Sequence, residues 1–238
     1  INYPAAYVVN GGSNTISVIK LSDNTVSETI KLGEMSDPNH SGMNMTTGIS
    51  WPHHIYINSS TTQLAIGVPG MDLSGGHTGG MMAMTGKIAI VDAVTGVITK
   101  IIDLPVSNHN AIFSPNGSEI WTSQMQEMGK VLVYDATTYA LKNTINVKMD
   151  PAEVTFSSDG SMAFVANGGS DTVTVISVSD KMIKGQIKVG DDPVGAWTGA
   201  DGNMYVDNEA GQSITVIKVS DMSVIATIAL GFMPGIAA

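Results

Sequence analysis

The chain has no cysteine, which excludes disulfides, thiolate nucleophiles and every thiolate metal site, blue copper and iron–sulfur centres included. Charge is also scarce, at 13% of residues, and the 11 Lys and Arg are scattered along the chain instead of forming a stripe. With a formal net charge of −10, no cationic surface is offered to a phosphate backbone, so nucleic acid is not an expected partner. No apolar run approaches the roughly 18 to 20 residues that cross a bilayer, so no membrane span is expected. The sequence opens on Ile1 without a charged, apolar leader, and the expectation is a chain trimmed at its start or relieved of its leader. No segment holds a 3.6-residue apolar period over the ten or more residues a helix needs, so essentially no helix is expected.

What is present suits a β-rich globular chain with many tight turns: 43% hydrophobic residues and 26 glycines. The main signal is self-similarity. Asn10-Gly-Gly-Ser-Asn-Thr-Ile-Ser-Val-Ile returns as Asn167-Gly-Gly-Ser-Asp-Thr-Val-Thr-Val-Ile, and again, 41 residues on, as Asn208-Glu-Ala-Gly-Gln-Ser-Ile-Thr-Val-Ile. Phe113-Ser-Pro-Asn-Gly recurs as Phe156-Ser-Ser-Asp-Gly at a spacing of 43. Such spacings match a propeller blade of four short strands, here called a to d from the inside outwards.

The Pro or Asn that opens strand a occurs at Pro52, Asn108, Pro151, Pro193 and Pro234, which predicts about five four-stranded blades. In the fourth unit the strands are predicted at 153–156, 163–166, 172–178 and 183–189. The chain starts directly on a strand b, 6–10, and ends on a strand a from Pro234. The expected fold is therefore an all-β single propeller domain over 1–238, its ring closed by the C-terminal strand completing the first blade.

Tyr7-Val-Val-Asn10, Phe164-Val-Ala-Asn167 and Tyr205-Val-Asp-Asn208, with the Pro-x-x-apolar-x-Phe-Ser-x-(Asp/Asn)-Gly pattern of strand a, resemble the YVTN repeats of archaeal surface-layer and bacterial exported propellers. The resemblance implies the fold and an extracytoplasmic setting, periplasmic or cell-surface. It leaves function open, because relatives include binders, lyases, enzyme subunits and surface coats. Many relatives have seven blades, against the five counted here.

Antiparallel blades send the d-to-a and b-to-c connections to one face. That face takes both insertions that interrupt the repeat, 34–52 and 69–86, and with them all five histidines: His40, His53, His54, His77 and His109. Most of the 15 methionines go there too, leaving Met162, Met182, Met204 and Met222 elsewhere. Methionine fills core gaps readily, yet Met43 and Met45, Met71, and Met81, Met82 and Met84 sit among Gly, Ser, Thr and Asn, where packing offers little. Thioethers bind Cu(I), imidazole binds both copper states, and a mixed set without thiolate selects copper over zinc, magnesium or calcium. The segments His40-Ser-Gly-Met43-Asn-Met45 and His77-Thr-Gly-Gly-Met81-Met-Ala-Met84 are similar to the Met- and His-rich stretches of bacterial copper-resistance proteins.

A second cluster follows from aligning the strands a. His53 and His109 become equivalent in adjacent blades, and His54, Asn110 and Glu153 become equivalent one residue later, all converging on the channel. The candidate metal ligands are thus His40, His53, His54, His77, His109, Met43, Met45, Met71, Met81, Met82 and Met84. The function expected first is copper delivery, storage or protection outside the cytoplasm, with a copper-handling protein as partner and zinc as the rival metal. Two alternatives stand beside it: a surface-layer or adhesive propeller whose Met-rich lid holds no metal, and a lyase or lactonase using His109 or His53 as general base with Glu153.

Overall fold

The computed structural model describes residues 1–36, 44–73 and 84–234. Strands dominate it, and helical backbone among the described residues is confined to two single 3-10 turns, Gly11–Ser13 and Gly168–Ser170, and to Pro234. No helix among them is long and apolar enough to cross a membrane.

Among the described residues the first sheet has three strands: β1 (Ala5–Asn10), β2 (Thr15–Lys20) and β3 (Thr25–Lys31). A two-stranded ribbon follows, β4 (Glu34–Ser36) with β5 (Asn44–Thr46), so the first insertion carries regular pairing that the broken repeat did not predict. The second sheet has the order β6 (Ile55–Ile57), β7 (Gln63–Val68), β8 (Lys87–Asp92), β9 (Ile98–Asp103). The third is β10 (Ala111–Phe113), β11 (Glu119–Gln124), β12 (Lys130–Asp135), β13 (Leu141–Asn146). The fourth is β14 (Pro151–Phe156), β15 (Met162–Asn167), β16 (Thr172–Ser177), β17 (Ile183–Lys188), within a residue or two of the predicted strands. The fifth is β18 (Pro193–Thr198), β19 (Met204–Asn208), β20 (Ser213–Lys218), β21 (Ser223–Ala229). Every paired register is antiparallel and joins consecutive strands, as a blade requires. Pro234 is the last described residue, so the predicted closing strand lies outside the described residues.

The repeated residues have physical jobs. The asparagine ending strand b bonds across to hydroxyls of strand c: Asn167 Nδ2 donates to Thr174 Oγ1 at 3.0 Å, and Asn208 Nδ2 to Ser213 Oγ at 3.1 Å and Thr215 Oγ1 at 3.0 Å. Asn10 does the same with Ser17 Oγ at 2.9 Å. After strand a, the Asp or Asn of Ser-x-(Asp/Asn)-Gly caps the turn: Asp159 Oδ1 accepts from Ser157 Oγ at 2.6 Å and from the Ser161 N–H at 3.0 Å. Asn116 repeats this with Ser114 and Ser118, and the glycines that follow, Gly117 and Gly160, take φ of +73° and +70°, which a side chain would strain. Asn58, in the turn after β6, is buried, its Oδ1 accepting from the N–H groups of Thr62 and Gln63.

The chain divides into two compact units, Ile1–Asp72 with Ala83–Ile112, and Leu73–Met82 with Phe113–Ala238. In the first, Ile16, Val18, Leu32, Leu64, Ile66, Ala89 and Val91 pack into one core. In the second, Phe164, Val173, Val175, Ile187, Met204, Val206 and Ile217 do so. At about 25 cal/mol per Å² of apolar surface, cores of this kind are what stabilise the stacked strands.

Candidate metal centre

Within the first unit, His53 and His54 lie just before β6, and His109 lies two residues before β10, each at the entry of the first strand of its sheet. Pairing with β7 holds the first two: the His53 N–H donates to the Gly67 carbonyl at 2.9 Å, and the Gly67 N–H donates to the His54 carbonyl at 3.0 Å. The segment bearing His109 is tied down nearby, Ser107 Oγ donating to the Pro69 carbonyl at 2.8 Å.

The three imidazoles form a nearly equilateral triangle. Ring centroids are 4.4 Å apart for His53 and His109, 4.6 Å for His53 and His54, and 4.7 Å for His54 and His109, with tilts of 49°, 50° and 39°. One nitrogen from each lies within 4.8 Å of the others. Donors around a tetrahedral ion at about 2.0–2.1 Å sit roughly 3.4 Å apart, so side-chain rotations moving each nitrogen by less than about 1 Å would close the set on an ion. Among the described residues this is the only group of three His, Cys, Asp or Glu so arranged. His109 is 2% exposed and gives the triangle a fixed corner, while His53 and His54 are only half-buried and leave an approach from solvent. Three imidazoles are neutral donors, so an ion held by them keeps its full charge and an open coordination position for a further ligand.

The convergence predicted for His53, His54 and His109 from equivalent repeat positions is therefore present. His40, His77, Met43, Met81 and Met82 lie outside the described residues, and of Met45 only the backbone is described, opposite Met35 in the β4–β5 ribbon. Met71 is half-buried just after β7, and Met84 is 39% exposed just before β8.

A second group of buried polar side chains, in the other unit, went unread in the sequence apart from Glu153. Glu153 is 1% exposed on β14, and Asp207, on β19, is 5% exposed with Oδ1 accepting the Gly195 N–H at 2.6 Å. Burial pushes the Asp207 carboxyl up to about 7, against the pull of the Gly195 N–H, and the charges of Glu153 and Glu209 add to the rise. A signal was available: Asp207 is the sole ionisable residue at the penultimate position of strand b, where the other repeats have Val9, Gly67, Ser123 and Ala166.

No family model and no curated protein matches the chain. Among solved structures it is similar to Kuenenia stuttgartiensis hydrazine synthase, with a TM-score of 0.62 at 20% identity over 79% of this chain and 52% of that one. This chain thus spans about half of that chain. At such identity the likeness shows a shared all-β fold and carries no chemistry across.

Proposed function

We propose that this chain is an extracytoplasmic copper-binding propeller of the YVTN type, its blades closed into a ring, which holds copper for delivery, storage or protection and passes it to a copper-handling protein. The observation that carries the reading is the triangle of His53, His54 and His109, three imidazole donors within 4.8 Å of one another. Copper is preferred because the two insertions, one ending next to His53 and the other lying between His54 and His109 in sequence, are rich in thioethers, which favour Cu(I), and because the chain has no thiolate to recruit other soft-metal chemistry. The repeated Asn and Asp-Gly devices, and the fold shared with the solved structure, support the propeller. Zinc is the second reading, since three imidazoles with an open position also suit Zn²⁺.

Titration against a chromophoric Cu(I) competitor tests the proposal. The wild-type chain is expected to withdraw copper tightly, and the combined Met82/Met84 substitution to weaken its hold. Failure to withdraw copper would defeat the copper reading, and a Cu/Zn ratio near zero in protein purified without added metal would transfer the site to zinc.

A further inference from the structure

Gly67 meets all three histidine-bearing segments. Its carbonyl and N–H bond to the backbones of His53 and His54. On its other side, a Cβ at position 67 would come within 2.6 Å of the His109 carbonyl oxygen and within 2.6 Å of the Asn110 Cα. Both are backbone atoms, which cannot swing aside as a side-chain tip would. The missing side chain is thus what lets the His109 strand approach the strand that holds His53 and His54.

The sheet itself does not ask for glycine there. By register, the residue one before the end of strand b is Val9, Gly67, Ser123, Ala166 and Asp207 in the five sheets. In the third sheet Ser123 bridges the same gap with its hydroxyl, donating to the carbonyl of Ala152, which occupies the place of His109 in the next inner strand. The other repeats therefore accommodate a side chain at this point, and only the repeat facing His109 has none.

We infer that Gly67 is the positioning residue of the three-histidine centre, setting the distance between His109 and the His53–His54 pair. The inference rests on the reading of that centre as a metal site. Gly67→Ala and Gly67→Ser both insert a Cβ, the second copying the side chain that Ser123 places at the equivalent position, and Gly33→Ala is the control because nothing lies within 4 Å of a Cβ there.

In the full chain, both Gly67 variants should keep the wild-type far-UV circular dichroism yet bind Cu(I) about 10- to 100-fold more weakly, the loss typical when the support of a ligand is removed. Their Cu(II) paramagnetic resonance should show fewer coordinated imidazole nitrogens, a readout that a merely structural role would not move. Gly33→Ala should match the wild type in both. Folded Gly67 variants with unchanged affinity and spectrum would overturn the inference, and so would loss of the fold in both, because the glycine would then serve the sheet and not the centre. Imidazole ¹H–¹⁵N resonances of metal-free protein separate this claim from the metal reading. Displaced His53, His54 and His109 signals in the Gly67 variants support the positioning role even if the wild type takes up no metal, and unmoved signals contradict it.

Discussion

Around the entry of the first strand of each sheet, one unit of the molecule gathers imidazoles and the other gathers carboxyls. At the entry of the inner strands, the second and third sheets present His53 and His54, and His109 and Asn110; the fourth presents Ala152 and Glu153, and the fifth Val194 and Gly195. Beneath them, the penultimate residue of strand b is Gly67 in the second sheet and Asp207 in the fifth. Both places lie where an antiparallel pair loses its regular register: His53 and His54 both bond to Gly67, and the fifth sheet shifts register between Pro193 and Gly195, opposite Asp207. Uncharged donors such as unprotonated imidazole can crowd together at modest cost, whereas buried carboxylates desolvate and repel one another, and Asp207 is driven to hold its proton. A repeat of this kind supplies a buried polar position, and the residue placed there decides whether it becomes a donor set or a proton-holding pair.

The largest effect expected from this contrast is on the imidazole side. His109→Ala removes the buried corner of the triangle and should cost about 1000-fold or more in Cu(I) affinity, roughly 4 kcal/mol at 1.4 kcal/mol per tenfold, measured by competitor titration. Glu153→Ala, at the equivalent level in the other unit, should leave that affinity unchanged, and an equal loss in both would erase the distinction.

The next largest effect is on the carboxyl side and depends on pH. The raised Asp207 group makes the folded chain bind more protons than the unfolded one, so the stability it contributes is complete below about pH 4 and lost as pH rises through about 7. Asp207→Asn keeps an oxygen for the Gly195 N–H and removes the ionisation. It should stabilise the chain at pH 8 by at most about 4 kcal/mol, with the gain vanishing near pH 4, as read from denaturant midpoints at the two pH values. A gain independent of pH would mean that Asp207 is not the group responsible.

The smallest effect sharpens the comparison along the repeat. Asn208 is fully buried and donates to Ser213 and Thr215, so Asn208→Ala should cost about 1–3 kcal/mol. Asn10 makes the equivalent bonds but is only half-buried, and Asn10→Ala should cost less, about 1 kcal/mol or below, in the same unfolding assay.

Much of this was readable in the sequence. Strand positions in the fourth unit, the start of the chain directly on a strand b, and the meeting of His53, His54 and His109 all follow from aligning repeats, because equivalent residues of repeated sheets occupy equivalent positions within them. The alignment could not give distances. Gly67 reads as one glycine among 26 until the His109 backbone is seen against it, and the β4–β5 ribbon forms inside a stretch where the period is broken. Asp207 was legible in principle as a charge at an apolar repeat position, but its altered protonation depends on how completely it is buried, and spacing does not report burial.

X-ray absorption at the copper edge, on the full chain loaded with one equivalent of Cu(I), tests the central claim most directly. Three imidazole nitrogen scatterers at about 2.0 Å, with or without one sulfur, are predicted, and substituting His53, His54 and His109 together should abolish the imidazole signature. A copper environment made of sulfur alone, or one that survives the triple substitution, would contradict the account.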